Sequence, residues 1–421
     1  SNGDFKPKPQ AAFAAFTSYE DVAAVFFDAD KDGDIDLLVG SGGNNRLSTR
    51  GELNHRLFLN DGKANFTHKV DAFPVFDYNT GVMVPLDYDM DGDLDVFVGA
   101  RNTPLKYGVT PSSALYQNNG QGQFKDVTKT VAPDFASLGM VTSAVVGKLN
   151  NKAGVSLIVV GEYMYPMVYA FEKGKMVEQV TNLKEMNGWW QSIQIADIDG
   201  DGYQDLIIGN MGENGYLKPT PKTPVKLWIN DFDGNESIDK ILTRTIDGRD
   251  VPVFLKGEMQ EQIPLLKKEN LNYEVYAKKA FQDLFKKELV EKAAMKLYNY
   301  TSSIIAWGKG NGQFDIQRLP NEVQFSSLNA MVSTDVNADG KTDLVMGGNQ
   351  FGFLPQFGRL DANYGLVLIN KGKRVLEVVE DKQSGLAITG QVRDMVLFQE
   401  GAHKKVLFFR NNQAPVFMKL K

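Results

Sequence analysis

A nine-residue aspartate pattern, which recurs four times directly before an apolar strand, constrains this chain more than any other feature. The copies read DADKDGDID (28–36), DYDMDGDLD (87–95), DIDGDGYQD (197–205) and DVNADGKTD (335–343). Four copies of one template are typical of a fold built from repeated units. Carboxylates this close repel each other and raise one another's pKa unless a cation lies among them.

The spacing of the aspartates indicates the cation. Carboxylates at positions 1, 3, 5 and 9, with glycine at position 6, can surround one hard cation, and the carbonyl of position 7 adds an oxygen. An all-oxygen set selects calcium over softer transition metals. A strand follows where an EF-hand has a helix, so we predict strand-loop-strand calcium sites. The predicted ligands are Asp28, Asp30, Asp32, Asp34, Asp36, Asp87, Asp89, Asp91, Asp93, Asp95, Asp197, Asp199, Asp201, Asp205, Asp335, Asn337, Asp339 and Asp343.

Two further loops depart from this pattern. NDFDGNESIDKIL places its ligands correctly but has glycine at position 4; its candidate ligands are Asp231, Asp233, Asn235 and Asp239. VVGKLNNKAGVSLIVVG has Lys148, Asn150, Lys152 and Ser156 at the ligand positions, where two ammonium groups would repel a cation. We expect the loop with Asp231 to bind metal and the loop with Lys148 to be empty. The chain would then bind about four or five calcium ions in all.

Glycine-centred hairpins alternate with the loops and complete a four-stranded unit. They recur at LFLNDGKANF (57–66), LYQNNGQGQF (115–124), VYAFEKGKM (168–176), IIAWGKGNGQF (304–314) and VLINKGKRV (367–375). Inner strand, loop, second strand and outer hairpin make one propeller blade. The sequence therefore predicts an all-β, seven-bladed β-propeller in one domain over residues 1–421, with blades that begin near residues 21, 80, 141, 190, 231, 328 and 390.

Two stretches fall outside the regular blades. Residues 258–300 have apolar side chains at helical spacing, with Asn272 as a candidate N-cap, which predicts a helical insertion in blade five. We interpret it as a cover on the side of the propeller or, alternatively, as an element that docks a partner. The last blade has three candidate strands, and AAFAAFT (11–17) could supply the fourth and close the ring.

Composition and motifs exclude several classes of protein. The 421 residues include no cysteine, which excludes disulfides, thiolate metal sites and a cysteine nucleophile. A net charge of −6 without a Lys/Arg run argues against nucleic-acid binding. No apolar run approaches the roughly 18 residues of a membrane span, and the common catalytic signatures are missing.

A candidate ligand face lies opposite the calcium loops, where loops follow the second strands. These loops are polar and rich in glycine, and they repeat around one axis. They could line a central funnel for a glycan or a protein loop; an alternative is that asparagine and glycine only end the strands and that the tryptophans wedge between blades. The candidate ligand-binding residues are Arg46, Arg101, Glu162, Tyr163, Trp189, Asn210, Asn214, Asn349 and Gln350.

The chain resembles the FG-GAP or VCBS-type repeat propellers, which are related to the integrin α-chain head. More narrowly, it resembles the C-terminal propeller of large Bacteroidetes surface proteins that carry ASPIC/UnbV-like segments. The motifs behind this resemblance are GMVTSAVVG (139–147), VVGEYMYP (159–166), GWWQSIQIADIDGDG (188–202), LWINDFDGNESID (227–239), GRLDANYG (358–365) and SGLAITGQVRD (384–394). The resemblance implies export, a surface or lipoprotein setting and frequent encoding beside starch-utilisation-type receptor pairs, and it implies no established reaction.

Three functions remain open at this point. The leading hypothesis is a non-enzymatic, calcium-stabilised propeller that binds a glycan or a protein partner at the bacterial surface. The second is a polysaccharide lyase or glycoside hydrolase that uses the axial funnel. The third is a structural subunit of an outer-membrane nutrient-uptake complex that docks through the helical insertion.

Overall fold

The computed structural model describes residues 8–44, 51–149, 154–269, 272–353, 357–401 and 403–420. Strands make up 44% and helices 11% of it. In the described residues the strands form seven antiparallel sheets, five of them with four strands. The fold is therefore all-β, with the sheet type from which β-propellers are built.

Six sheets follow one another along the chain. The first sheet contains β1 (Glu20–Phe27), β2 (Asp36–Gly42), β3 (Arg56–Asn60) and β4 (Phe66–Lys69). The second contains β5 (Asn79–Leu86), β6 (Asp95–Asn102), β7 (Ala114–Asn118) and β8 (Phe124–Asp126). The third contains β9 (Met140–Gly147), β10 (Ser156–Met164), β11 (Met167–Glu172), β12 (Lys175–Gln179) and the short β13 (Gly188–Trp189).

The fourth sheet is interrupted by a complete additional sheet. Its strands are β14 (Ser192–Ala196), β15 (Asp205–Gly209), β20 (Ile304–Gly308) and β21 (Phe314–Arg318). Between β15 and β20 lies the inserted sheet, which contains β16 (Val225–Asn230), β17 (Asp239–Ile246), β18 (Arg249–Pro252) and β19 (Ala294–Tyr298). The fifth sheet contains β22 (Leu328–Thr334), β23 (Asp343–Gly348), β24 (Leu366–Asn370) and β25 (Leu376–Val378), and the sixth contains β26 (Val392–Glu400), β27 (His403–Arg410) and β28 (Gln413–Lys419).

The helices are short and lie in the connections. The α-helices are α1 (Ala11–Ala14), α2 (Thr128–Val131), α3 (Lys256–Gln262), α4 (Leu266–Glu269), α5 (Tyr273–Ala277), α6 (Lys287–Lys292) and α7 (Asp381–Ser384). Single 3-10 turns are at Pro133–Ser137, Phe281–Asp283 and Asn321–Phe325. Asn272 caps α5, because its side chain accepts a hydrogen bond from the backbone N–H of Glu274.

Apolar cores join the six sheets in sequence order. Each core lies between two successive sheets, and the second strands β10 and β15 are buried along their whole length. Hydrogen bonds from first strands reinforce these junctions. They join Thr142 Oγ1 to the carbonyl of Trp190 (2.8 Å), Ser192 Oγ to that of Leu328 (2.9 Å) and Asn329 Nδ2 to that of Val392 (3.0 Å).

The two ends of this series differ from its interior. Among the described residues, no comparable packing joins β26 to β1. The prediction that residues 11–17 supply a closing strand is wrong. Residues 11–14 are helical, and Phe13 packs against Phe58 and Phe66 of the first sheet. The sixth sheet accordingly has three strands in the described part of the chain.

The region that follows residue 225 also differs from the prediction. The hairpin at 304–314 follows the inserted sheet in sequence, yet it pairs with β15 and completes the fourth sheet. The predicted helical insertion at 258–300 consists of short helices, and its segment Ala294–Tyr298 is the strand β19. Backbone pairing with β16 prevailed there over the apolar spacing that indicated a helix.

Candidate functional site

Five aspartate loops share one backbone conformation. We name them by their sheets: the first (28–36), second (87–95), fourth (197–205), inserted (231–239) and fifth (335–343) loops. Positions 4 and 6 have positive φ in every loop, for example 61° at Lys31 and 91° at Gly33. In the inserted loop Gly234 occupies position 4, and Glu236 takes the left-handed conformation at position 6 with a φ of 65°. The displaced glycine therefore leaves the shape of the loop unchanged.

The aspartate at position 1 organises each loop, because it accepts a hydrogen bond from the backbone N–H of position 6. The N···O distances are 3.1 Å for Gly33 to Asp28, 3.1 Å for Gly92 to Asp87, 2.9 Å for Gly202 to Asp197, 2.9 Å for Glu236 to Asp231 and 2.8 Å for Gly340 to Asp335. The turn is thus built around a carboxylate that faces inward.

The aspartate at position 9 is buried in all five loops and ties the loop to the sheet. One of its oxygens accepts the N–H of position 2; the donors are Ala29, Tyr88, Ile198, Phe232 and Val336. In the first, second, fourth and fifth loops the other oxygen accepts an N–H from the third strand, at 2.8 Å each; the donors are Asn60, Asn118, Gly308 and Asn370. Burial raises the pKa of Asp95 to about 7 and that of Asp205 to about 6.

Three carboxylates converge in four of the loops. In each set one oxygen from every residue lies within 4.8 Å of the others; the sets are Asp28, Asp30 and Asp32; Asp87, Asp89 and Asp95; Asp197, Asp199 and Asp205; and Asp231, Asp233 and Asp239. Five of these residues have an enclosed oxygen without a hydrogen-bond partner, namely Oδ1 of Asp28, Asp30, Asp87, Asp89 and Asp233. Buried acceptors without a partner are unfavourable, and an oxygen-coordinated cation such as calcium would satisfy them. The first, second and inserted loops therefore fit a calcium ion.

The fourth and fifth loops contain cationic side chains of the protein. Arg374, from the fifth sheet's hairpin, places Nε 2.7 Å from Asp199 Oδ2 in the fourth loop. In the fifth loop Lys341 Nζ lies 3.2 Å from Asp339 Oδ2, and Asn337 replaces a carboxylate at position 3. Both loops thus carry less uncompensated negative charge than the first and second loops.

Several predicted ligands lie outside the four carboxylate sets. At position 5, Asp91, Asp201 and Asp339 accept the backbone N–H of position 7 in their own loops. At position 7, Asp93 is paired with Lys31 of the first loop. The remaining residues outside these sets are Asp34, Asp36, Asn235, Asp335, Asn337 and Asp343. The position 7 side chain of the second loop therefore joins two loops.

The lysine-substituted third loop is described in part. Asn150 and Lys152 lie outside the described residues. The backbone N–H of Lys148 donates to Oε1 of Gln204 in the fourth loop, and Ser156 is buried at the start of β10. The third loop is consequently joined to its neighbour by a neutral hydrogen bond.

An aromatic cavity of about 340 Å³ lies near the opposite ends of the second strands. Tyr163 and Trp189 of the third sheet, with ring centroids 5.7 Å apart, line one side of it. Tyr298 of β19 lies 5.5 Å from Tyr163, and Phe353 lies 5.7 Å from Trp189. The other described aromatic residues that line the cavity are Tyr107, Tyr216, Phe254 and Phe357. The inserted sheet thus encloses a space that the loops alone would leave open.

A buried glutamate supports one wall of this aromatic cavity. Glu162 is 2% exposed and accepts hydrogen bonds from Arg101 Nη2 (2.7 Å) and the Tyr107 hydroxyl (2.6 Å). Burial and this carboxylate raise the pKa of Tyr107 well above its ordinary value. The next residue, Tyr163, has a φ of 58° at a bulge in β10, a costly conformation for a bulky side chain.

The asparagines predicted on this face mostly serve the fold. Asn210 is fully buried, accepts the N–H groups of Trp189 and Met211, and donates to the carbonyl of Tyr300. Asn349 is also buried and bonded to neighbouring backbone, and Gln350 accepts a hydrogen bond from Gln391. Asn214 is exposed. Arg46 lies outside the described residues. The structure therefore brings together Arg101, Glu162, Tyr163 and Trp189 from the predicted set.

Sequence reasoning missed most of the aromatic cavity. Tyr107, Tyr298, Phe353 and Phe357 come from segments that are distant in sequence and share no motif. The available signal was the density of aromatic residues in the stretch 351–357, but no periodicity connects it to the other lining segments. Their convergence depends on the inserted sheet.

Comparisons with known proteins agree with the repeat pattern. The FG-GAP repeat family model matches residues 189–222, which include the fourth loop. No curated protein matches the sequence. Together with the four-stranded antiparallel sheets, the FG-GAP match supports a β-propeller of the FG-GAP type. An FG-GAP repeat is typical of extracellular proteins.

Similar solved structures have low sequence identity to this chain. The crystal structure of BBS1N in complex with ARL6DN, soaked with lead, is 10% identical over 96% of this chain and 92% of that chain, with a TM-score of 0.35. The crystal structure of the V. cholerae biofilm matrix protein Bap1 is 9% identical over 96% of this chain and 87% of that chain, with a TM-score of 0.32. In the described part of the chain, none of the helices has the length and hydropathy needed to span a membrane.

Proposed function

We propose that this protein is a calcium-stabilised, non-enzymatic binding module of the FG-GAP propeller type. The observation that carries the proposal is the set of five enclosed carboxylate oxygens without hydrogen-bond partners in the first, second and inserted loops. Each of these loops presents only oxygen ligands at short spacing, as calcium requires. We also propose, on the resemblance to Bacteroidetes surface propellers, that the protein acts at the outer surface of an outer membrane.

The proposed role of calcium is structural. Three residues in each loop would hold one ion: Asp28, Asp30 and Asp32 in the first loop; Asp87, Asp89 and Asp95 in the second; and Asp231, Asp233 and Asp239 in the inserted loop. When bound, the ion supplies positive charge that cancels the repulsion among these carboxylates. The loops also support neighbouring sheets: Asn118 of the second sheet donates to the carbonyl of Ala29 in the first loop (2.8 Å). A rigid first loop therefore strengthens the junction between the two sheets.

The proposed ligand site is the aromatic cavity, and the ligand is a glycan or part of a protein partner. The aromatic lining favours binding over acid-base chemistry, because the acid in the wall, Glu162, is already bonded to Arg101 and Tyr107. The raised pKa of Tyr107 disfavours its use as a base. No observation favours the lyase or hydrolase alternative.

A scaffold role is a second candidate, because the helical segment presents apolar side chains to solvent. Leu255, Tyr273 and Val275 are each at least half exposed, at 62%, 68% and 50%. In the proposed outer-membrane complex this surface would dock a partner. Loss of partner binding in Val275→Lys, with ligand binding at the cavity unchanged, would separate this role from the leading one.

Calcium titration of the metal-free protein tests the leading proposal. We expect tight binding at three loops, weaker binding at the fourth and fifth loops, and a stabilisation of about 2.7 kcal/mol per site when calcium is 100 times its dissociation constant. Calorimetric titration gives the number of sites, and thermal unfolding with and without EDTA gives the stabilisation. Magnesium is the control ion. Unfolding that is unaffected by calcium would contradict the proposal.

A further inference from the structure

The aromatic cavity exists because the inserted sheet packs against the face of the other sheets. Leu227 of β16, Leu242 of β17 and Tyr298 of β19 provide one wall. The segment that contains Tyr107 approaches β16 closely at Gly108, where an added Cβ would lie 2.8 Å from Cδ1 of Ile229. The cavity is therefore a defined feature of the packing between β16 and the segment that contains Tyr107.

The backbone at Tyr163 is held in a conformation that serves this cavity. Its positive φ interrupts the alternation of β10, so that Glu162 is bonded to Arg101 and Tyr107 while the Tyr163 ring lies against Trp189 and Tyr298. Backbone strain of this kind is retained where the surrounding structure fixes it, often at binding sites. The bulge thus both supports the wall and supplies one of its rings.

The lining determines the charge of a suitable ligand. Both oxygens of Glu162 are occupied, one by the Arg101 guanidinium and one by the Tyr107 hydroxyl. Among the described lining residues, Lys240 alone is charged, and the rest are mainly aromatic, aliphatic or glycine. A charged ligand would lose its hydration in this cavity, and Lys240 is the one charged side chain among the described lining residues that could compensate an anion, whereas an apolar ring would be stabilised by burial.

The volume indicates the size of the ligand. An apolar protein cavity of about 150 Å³ is enough to bind benzene. The aromatic cavity measures about 340 Å³, so it can hold two fused or linked rings. We infer that the aromatic cavity binds a small, uncharged, ring-bearing molecule of about this size through its apolar faces. The inference takes the site from the binding function proposed above and assigns it a different class of ligand, in place of a glycan or a protein partner.

Calorimetric titration of the calcium-loaded protein with four probes tests this inference. 2-Naphthol is the uncharged ring probe, 2-naphthoate is its charged counterpart, maltose is a hydroxyl-rich two-ring probe, and N-acetyltryptophan amide represents a protein side chain. We expect 2-naphthol to bind at least about tenfold more tightly than each of the others. Equal or tighter binding of naphthoate would overturn the requirement for an uncharged ligand, and tighter binding of the tryptophan amide would overturn the small-molecule assignment.

Two variants that fill the cavity locate the binding site. Leu217 is half-buried, Leu242 belongs to β17, and both line the cavity. Leu217→Trp and Leu242→Phe should each weaken 2-naphthol binding at least about tenfold. Val180→Trp, at a side chain that is 76% exposed and outside the cavity, is the matched control and should leave binding unchanged. Because Leu217 is less enclosed than Leu242, its variant keeps the test valid if Leu242→Phe does not fold.

The outcomes separate this inference from the proposed function. If 2-naphthol binds and both filling variants weaken it, the inference holds. If maltose binds and 2-naphthol does not, the inference is wrong and the proposed binding function stands. If no probe binds although calcium does, the inference is wrong, and the calcium sites are unaffected. Naphthol binding that persists in both folded filling variants would also overturn it, because the site would then lie elsewhere.

Discussion

The second and fourth loops have the same backbone and different electrostatics. In the second loop, Asp87 and Asp89 each keep an enclosed oxygen without a partner. In the fourth loop, the corresponding Asp197 accepts two backbone N–H groups, and Asp199 accepts a hydrogen bond from Arg374 of the next sheet. A repeated sequence pattern therefore specifies the shape of a loop, whereas the neighbouring sheet determines how much negative charge remains for an ion.

The largest expected effect comes from removing one carboxylate of the second loop. Asp89→Asn keeps the side-chain shape and removes a charge from a set of three acids. We expect the calcium-dependent part of the free energy of unfolding to fall by about 2.7 kcal/mol at a calcium concentration 100 times the dissociation constant. Denaturant unfolding with calcium and with EDTA measures this difference.

Asp199→Asn is the matched control in the fourth loop. Because Asp199 is already bonded to Arg374, the same substitution should change the calcium-dependent stability much less. Equal losses in Asp89→Asn and Asp199→Asn would mean that the two loops bind calcium equally and that the contrast between them is wrong.

Removal of the cation beside the fourth loop should strengthen calcium binding there. Arg374→Met removes the guanidinium beside Asp199, and we expect calcium to bind there about tenfold more tightly, a gain of about 1.4 kcal/mol. Calorimetric titration should then show one additional tight site. Arg359→Met, which removes a half-exposed arginine paired with Asp361, is the control and should leave the titration unchanged.

The smallest expected effect is the pH dependence of the metal-free protein. The folded pKa values of Asp95 and Asp205, about 7 and about 6, lie above the ordinary value of 3.8, so the folded state binds protons there more tightly than the unfolded state. Stability in EDTA should therefore rise, by about 1 kcal/mol, as the pH falls from 8 to 6.5. Urea unfolding at these two pH values measures the change, and a fall in stability would contradict it.

A buried histidine opposes this trend at lower pH. Burial lowers the pKa of His55 to about 3, and neither of its ring nitrogens has a hydrogen-bond partner. Below the ordinary value of 6.5 the unfolded state binds the proton more tightly, so His55 alone lowers stability by about 1 kcal/mol as the pH falls from 6.5 to 5.5. Asp95 and Asp205 still stabilise the folded state over this range, so stability should continue to rise, but less steeply than the two aspartates alone would give. His55→Leu should make this rise steeper, and an unchanged slope would exclude His55 as the opposing group.

The sequence predicted the loops well because their information is local. The pattern of aspartate and glycine gives the turn, and the buried strand follows at once, so both could be predicted without knowledge of the partners. The pairing of Asp93 with Lys31 and of Asp199 with Arg374 could not be predicted, because it depends on how neighbouring sheets are placed. Predicted ligands therefore include side chains whose main contacts are with other elements.

The aromatic cavity and the end of the sheet series were less predictable for the same reason. Apolar spacing at 294–298 suited a helix as well as a strand, and only pairing with β16 decided between them. AAFAAFT was compatible with a closing strand, but Phe13 is better buried against Phe58 and Phe66. Trp189 and Tyr163 were identified from their loops, whereas Tyr298 required knowledge of the inserted sheet.

The position of the inserted sheet has a kinetic consequence. β15 ends at residue 209 and its partner β20 begins at residue 304, so the fourth sheet must close a long loop of chain before it is complete. Closure of long loops and dominance of non-local pairing slow folding. During synthesis, β14 and β15 emerge as a two-stranded ribbon that waits for its outer hairpin, while the inserted sheet can fold in the interval. The fourth sheet is therefore the expected site of delayed folding, and its exposed edge is the segment most in need of protection from aggregation.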